Sequence, residues 1–189
     1  MVRAEGTRAR PPLTFAAPLP IGMPAERELA DLFLAERLPA WAVRQAVVAA
    51  APEGIAVTEL HDVWLGAPAL PASLAAADYR VSIEPGSDPG PDALAAAAAE
   101  LLAAQTIPRQ REKGRGLVAY DLRPLLADIH VIVDGPARLR VRTLFDPERG
   151  AGRPEEAIAA LGDALGKPLQ TSATVRERLI LADELDDAR

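Results

Sequence analysis

The chain contains no cysteine, which removes disulfides, Cys-ligated zinc, iron–sulfur clusters and thiol nucleophiles from its chemistry. Histidine is nearly as scarce, with two in 189 residues. His61 and His130 fall far apart, with no other His or acidic residue at ligand spacing, whereas a zinc site needs about four converging ligands. Both read as ordinary strand histidines rather than metal ligands or general bases. Ser73, Ser82, Ser87 and Ser172 lack the strand–turn–helix setting of a nucleophile elbow, so no hydrolase is indicated. Aromatic residues make up only 4% of the chain, few for the stacking platforms that hold single-stranded nucleic acid. Trp41, Trp64, Tyr79 and Tyr120 read instead as core. No apolar run reaches the roughly 18 residues of a membrane span. The basic start MVRAEGTRAR has no apolar segment behind it, unlike a secretory signal. A cytoplasmic protein without a bound cofactor is expected.

What is present is an ordinary globular composition, 49% hydrophobic and 25% charged, in a chain long enough for two small cores. The net charge of -6 opposes non-specific attraction to nucleic acid, but it is unevenly spread. Residues 106–145 carry eight bases against four acids, so the excess of acid lies elsewhere.

Hydrophobic spacing gives the element order. PPLTFAAPLP reads as a strand ended by Pro18 and Pro20. ERELADLFLAE is ambiguous, since Leu29, Leu32 and Phe33 fit a helix while Leu32 and Leu34 fit a strand face. A helix is expected over 40–51, with Val43, Ala46, Val47 and Ala50 on one stripe. IAVTELHDVWL then reads as a strand through the parity of Ile55, Val57 and Val63. After the connector GAPALPAS, SLAAA reads as a helical turn, DYRVSIEP as a strand and DALAAAAAELLAAQ as a helix. TIPRQRE and GLVAYDL are expected to pair through the turn Lys113-Gly114-Arg115-Gly116. DIHVIVDGPARLRVRTLF is expected to fold as a hairpin turning at Asp134-Gly135. A helix beginning near Pro154, a strand over TVRERLIL and an acidic tail complete the chain.

This order predicts an α+β protein of two ferredoxin-like α/β sandwich units with antiparallel sheets. The expected divisions are 1–66 for a first unit with its opening strand and helix missing, 67–70 for a Pro-rich connector, 71–182 for a second unit with an extra hairpin, and 183–189 for the tail.

Two residue groups stand out as candidate sites. Arg138, Arg140 and Arg142 recur at period two and so share one sheet face, as do Arg109 and Arg111 on another strand, a stripe able to grip RNA phosphates. A solvated face with cross-strand ion pairs is the plainer reading. Asp121 and Arg123 in YDLRP, joined in space by Arg153 and Arg176, would line an anion pocket, against the alternative of structural pairing. Gly150-Ala151-Gly152 before Arg153 has the look of a phosphate loop, but Glu155 and Glu156 would put negative charge where phosphate should sit, which favours a plain helix start.

Several segments together resemble a known family, the radical-SAM-linked domain of unknown function, which is fused to or encoded beside cobalamin-binding radical S-adenosylmethionine proteins. They are LTFAAPLPIGM, APEGIAV, AADYRVSI, YDLRPLL, RPEEAIAALG and VRERLIL, in the family's order. The resemblance makes ERELADLFLAE a strand. It also implies an opening strand and a His-containing helix before a Gly-Phe-x-Pro-His-Pro type segment. Here EGTRARPP stands in that place, with Gly6 and Pro11 matching and Thr7, Arg8, Ala9, Arg10 and Pro12 departing. A coding start further upstream, a divergent short form or a partner chain would each account for this, and the first is favoured. The function implied is that of a non-catalytic accessory to a radical S-adenosylmethionine protein, one that presents a substrate such as RNA. The alternatives are an independent RNA-binding module using the arginine face, or an enzyme with a site between the two units.

Overall fold

The computed structural model describes residues 13–186 except 65, 115 and 134, with backbone alone at 112, 113 and 186. The EGTRARPP segment, Arg115 and Asp134 of the two expected turns, and the last three residues of the tail lie outside the described residues.

The alternation seen in RLRVRTLF sets the architecture. Leu139 and Val141 turn to one side, where they are fully buried, and Arg138, Arg140 and Arg142 turn to the other. This strand, β7 (Arg138–Asp146), lies between β6 (Leu126–Ile132) and β3 (Leu74–Ile83), with β9 (Thr171–Leu181) beyond β3, all antiparallel. α3 (Pro91–Ala103) follows β3, and α4 (Pro154–Ala164) follows β7. Strand, helix, two strands, helix, strand with the spatial order β6-β7-β3-β9 is the ferredoxin-like sandwich expected for the second unit. The core lies between one sheet face, with Tyr79, Val81 and Val141, and the helices, with Leu94, Leu101 and Leu161. Two insertions decorate it: the ribbon β4 (Pro108–Lys113) with β5 (Gly116–Asp121), and a two-residue strand β8 (Gly150–Ala151) beside β7.

β8 is followed by Gly152, where a Cβ would stand 2.3 Å from the Leu125 carbonyl oxygen and 2.9 Å from the Thr143 side chain. The glycines of GAGRP therefore serve a close backbone crossing and a helix start with Pro154 in the first turn, as the plainer reading held. α4 is closed at Gly166, in the left-handed region at φ 68°, where Lys167 N–H bonds the Gly162 carbonyl.

Nearer the N-terminus, β1 (Leu13–Phe15) pairs antiparallel with β2 (Ala30–Leu32), so the ERELADLFLAE segment does supply a strand, three residues long. α1 (Ala40–Ala50) follows as expected. Two local expectations fail. The strand expected over IAVTELHDVWL does not form: the described residues 55–64 are irregular and pair with no strand, and Ile55 and Val63 are exposed. Its alternation is real but finds no partner edge among the described residues. Of SLAAA only Ser73 is helical, as the last residue of the short helix α2 (Leu70–Ser73); Leu74 to Ala77 open β3 instead of forming a helical turn. Ala76 and Ala77 are wholly buried, so tertiary packing overrides alanine's helical preference there. The tail begins as α5 (Ala182–Asp186). Among the described residues no helix is long and apolar enough to cross a membrane.

Candidate functional site

The outer face of the sheet carries the arginine stripe, and its chemistry is settled by carboxylates from neighbouring strands. Register places Asp78 of β3 opposite Arg142 on one side and Arg178 on the other. Arg142 donates to both Asp78 oxygens at 2.7 and 2.9 Å, and Arg178 donates at 3.0 Å. Burial alone would raise the Asp78 pKa, but the two arginines outweigh it and hold the carboxyl below its ordinary value. Glu177 plays the same part beside them: it accepts from Arg140 at 2.9 Å and from Arg80, whose other nitrogen reaches Glu26 at 2.5 Å. Arg140 and Arg142 are thus paired within the protein. Arg138 sits half-buried at the end of the same row. Arg109 and Arg111 do not join it. They lie on the ribbon, where Arg109 donates to Asp163 at 2.6 Å, and Arg111 stacks 4.9 Å above the Tyr120 ring and reaches the Arg149 carbonyl. Next to them Glu156 is raised by burial, which Arg111 and Arg109 offset only in part.

The four residues of the expected anion pocket are not brought together in one site, and three of them serve separate structural tasks. Asp121 accepts from the Ile107 and Arg123 N–H groups at 2.7 and 3.0 Å and closes the base of the ribbon. Arg123 caps two backbone ends, donating to the Leu126 and Leu102 carbonyls at 2.6 and 2.8 Å. Arg153 is exposed just before α4. Arg176 is 1% exposed and holds Glu28 and the Pro18 carbonyl. Burial would lower its pKa, but Glu28 and Tyr79 raise it above the ordinary value. The Arg176 contacts, with a parallel bridge from Ala25, strap residues 16–29 across the edge of β9. Nothing in the local sequence flags this strap, because Glu28 and Arg176 are 148 residues apart. His61 is exposed, 3.2 Å from Glu59, and His130 is exposed on β6. Among the described residues no three of His, Asp and Glu gather as metal ligands do.

The feature missed by reading Trp41 and Trp64 as core is an apolar surface. Of fifteen exposed large hydrophobics among the described residues, twelve lie in 13–64, and they include Phe15, Ile21, Trp41 at 70% and Trp64 at 79% exposure. α1 buries Val43 while Trp41 and Val48 face outward around Arg44 and Gln45. Apolar side chains left exposed in such number over one part of a chain point to an interaction surface.

Fold and surface together define an α+β protein built on a ferredoxin-like sandwich, with an internally paired arginine face and an apolar N-terminal region. The chain belongs to the family described as uncharacterized protein conserved in bacteria (DUF2344), whose model matches residues 4–154. No curated protein matches it.

Proposed function

We propose that this protein is a non-catalytic accessory that docks on a partner protein through the apolar surface of residues 13–64. The carrying observation is that, among the described residues, twelve of the fifteen exposed large hydrophobics fall in this part of the chain. Burying a Trp-sized or Leu-sized side chain contributes roughly 1.5–3 kcal/mol, so a few of these residues suffice to drive association. The partner class follows from the resemblance: a cobalamin-binding radical S-adenosylmethionine protein, which brings the cluster cysteines that this chain lacks. RNA is the substrate class such a pair would handle.

An RNA module acting alone through the arginine face is the weaker reading. Arg140 and Arg142 already neutralise Glu177 and Asp78, so phosphates would have to displace short charge-assisted bonds. An enzyme with a site between two units draws no support from Asp121, Arg123 and Arg176, whose hydrogen bonds tie backbone and strap, or from Arg153, which is exposed. The test is co-expression with the radical S-adenosylmethionine protein of the same organism. Co-purification that survives nuclease supports docking, and its absence refutes it.

A further inference from the structure

We propose that the groove between α4 and the free edge of β9 binds an extended peptide segment of a partner protein, one that presents an acidic, an apolar and a basic side chain in that order. None of the residues that line this groove belongs to 13–64, so either site can fail without the other.

β9 ends the sheet, and an edge strand offers unpaired N–H and C=O groups to an added strand. This edge already accepts one: Arg176 N–H bonds the Pro24 carbonyl at 3.0 Å, and Glu26 N–H bonds the Arg176 carbonyl at 2.9 Å, in parallel sense. The strap leaves at Pro24 for a turn over 20–23. Register with β3 runs without a break from Arg176 back to Ala173, so alternation turns the N–H and C=O of Thr174 outward like those of Arg176.

Beside this edge lies an open groove of about 610 Å³, with Ile158, Ala159 and Leu169 as its apolar lining and Thr171 and Thr174 on the strand side. Its charges are polarised. Lys167 stands where the chain enters β9, and Glu155 stands near Tyr79, which pairs with Arg176 further along. Neither makes an ion pair among the described residues, whereas the third charged residue, Asp163, is held by Arg109. A segment added in the parallel sense established by the strap runs from Lys167 toward Glu155. It therefore meets a cation first, the apolar lining next and a carboxylate last. From Glu155 to Asp163 α4 rises about 12 Å, the length of roughly four extended residues.

The experiment is a titration of the full-length, 15N-labelled chain with the peptide Ser-Glu-Thr-Val-Thr-Lys-Ser and with its charge-reversed form Ser-Lys-Thr-Val-Thr-Glu-Ser. The amides of Ala159, Thr171 and Thr174 shift, and the first peptide binds about fivefold tighter, the preference expected of two exposed ion pairs. Exchanging the two charges, Glu155→Lys with Lys167→Glu, inverts the preference; both residues are exposed, so the fold is kept. Equal binding of the two peptides, no shift at these amides at millimolar peptide, or shifts confined to residues 13–64 would each overturn the proposal.

Discussion

The guanidinium of Arg176 grips both carboxylate oxygens of Glu28, at 2.7 and 2.5 Å, from a position in the sheet that is 1% exposed. This pair decides where the N-terminal part of the chain lies, since the same arginine binds the Pro18 carbonyl and its backbone pairs with the strap. Arg176→Ala leaves Glu28 facing a void without its cation. A loss of about 3 kcal/mol is expected, as for other broken buried pairs. Hydrogen exchange resolves the location: the Ala16 and Glu26 amides, bonded to Leu29 and Arg176, lose protection before those of β3 and β7.

Asp78 makes a pH-dependent contribution. Its folded pKa lies below the ordinary 3.8, so the stabilisation from Arg142 and Arg178 is complete at neutral pH and is lost as pH falls below about 3.8. Asp78→Asn removes the carboxylate that both arginines share and costs about 2–4 kcal/mol at pH 7. Chemical denaturation at pH 7 and pH 3 tests this: the gap between wild type and variant narrows at the lower pH.

Glu156 behaves in the opposite sense. Burial raises its pKa above the ordinary 4.5, so the unfolded chain releases this proton first and stability falls as pH rises from 4.5 through the folded value. One of its oxygens is buried without a hydrogen-bond partner. Glu156→Gln is therefore expected to stabilise the protein slightly at pH 7, by under about 1 kcal/mol, and to have no effect at pH 4. Thermal melts at the two values distinguish this from a uniform gain.

Gly152→Ala inserts a Cβ against the Leu125 carbonyl, which is backbone and cannot step aside. A loss of about 2 kcal/mol or more is expected, measured by denaturant midpoint. Gly86→Ala, with open space around the site, serves as the control.

The ferredoxin-like sandwich was legible because its strands alternate cleanly, the alanine-rich run after Pro91 favours helix, and α4 carries Pro154 in its first turn. Legibility ended where long-range pairing began. The stripe of Arg138, Arg140 and Arg142 is visible at period two, but the carboxylates that neutralise it come from β3 and β9. The strand expected over IAVTELHDVWL has the right parity and no neighbour to bond among the described residues. LAAA looks helical by propensity and is a strand because β7 and β9 enclose it. Trp41 and Trp64 show the same limit, since size and apolarity predict burial without saying against what.

The central claim is docking through the apolar N-terminal region, and the most direct measurement of it compares two forms of the chain as bait with the radical S-adenosylmethionine protein of its organism. Wild type and the double variant Trp41→Glu with Trp64→Glu are purified after nuclease treatment, and the captured partner is quantified. Both tryptophans are largely exposed, so the variant keeps its fold and melting temperature. The account predicts that the wild type retains the partner and that the variant loses at least tenfold of it, as expected when two interface anchors are removed. Equal capture by both forms, or capture of RNA in place of the partner, would contradict it.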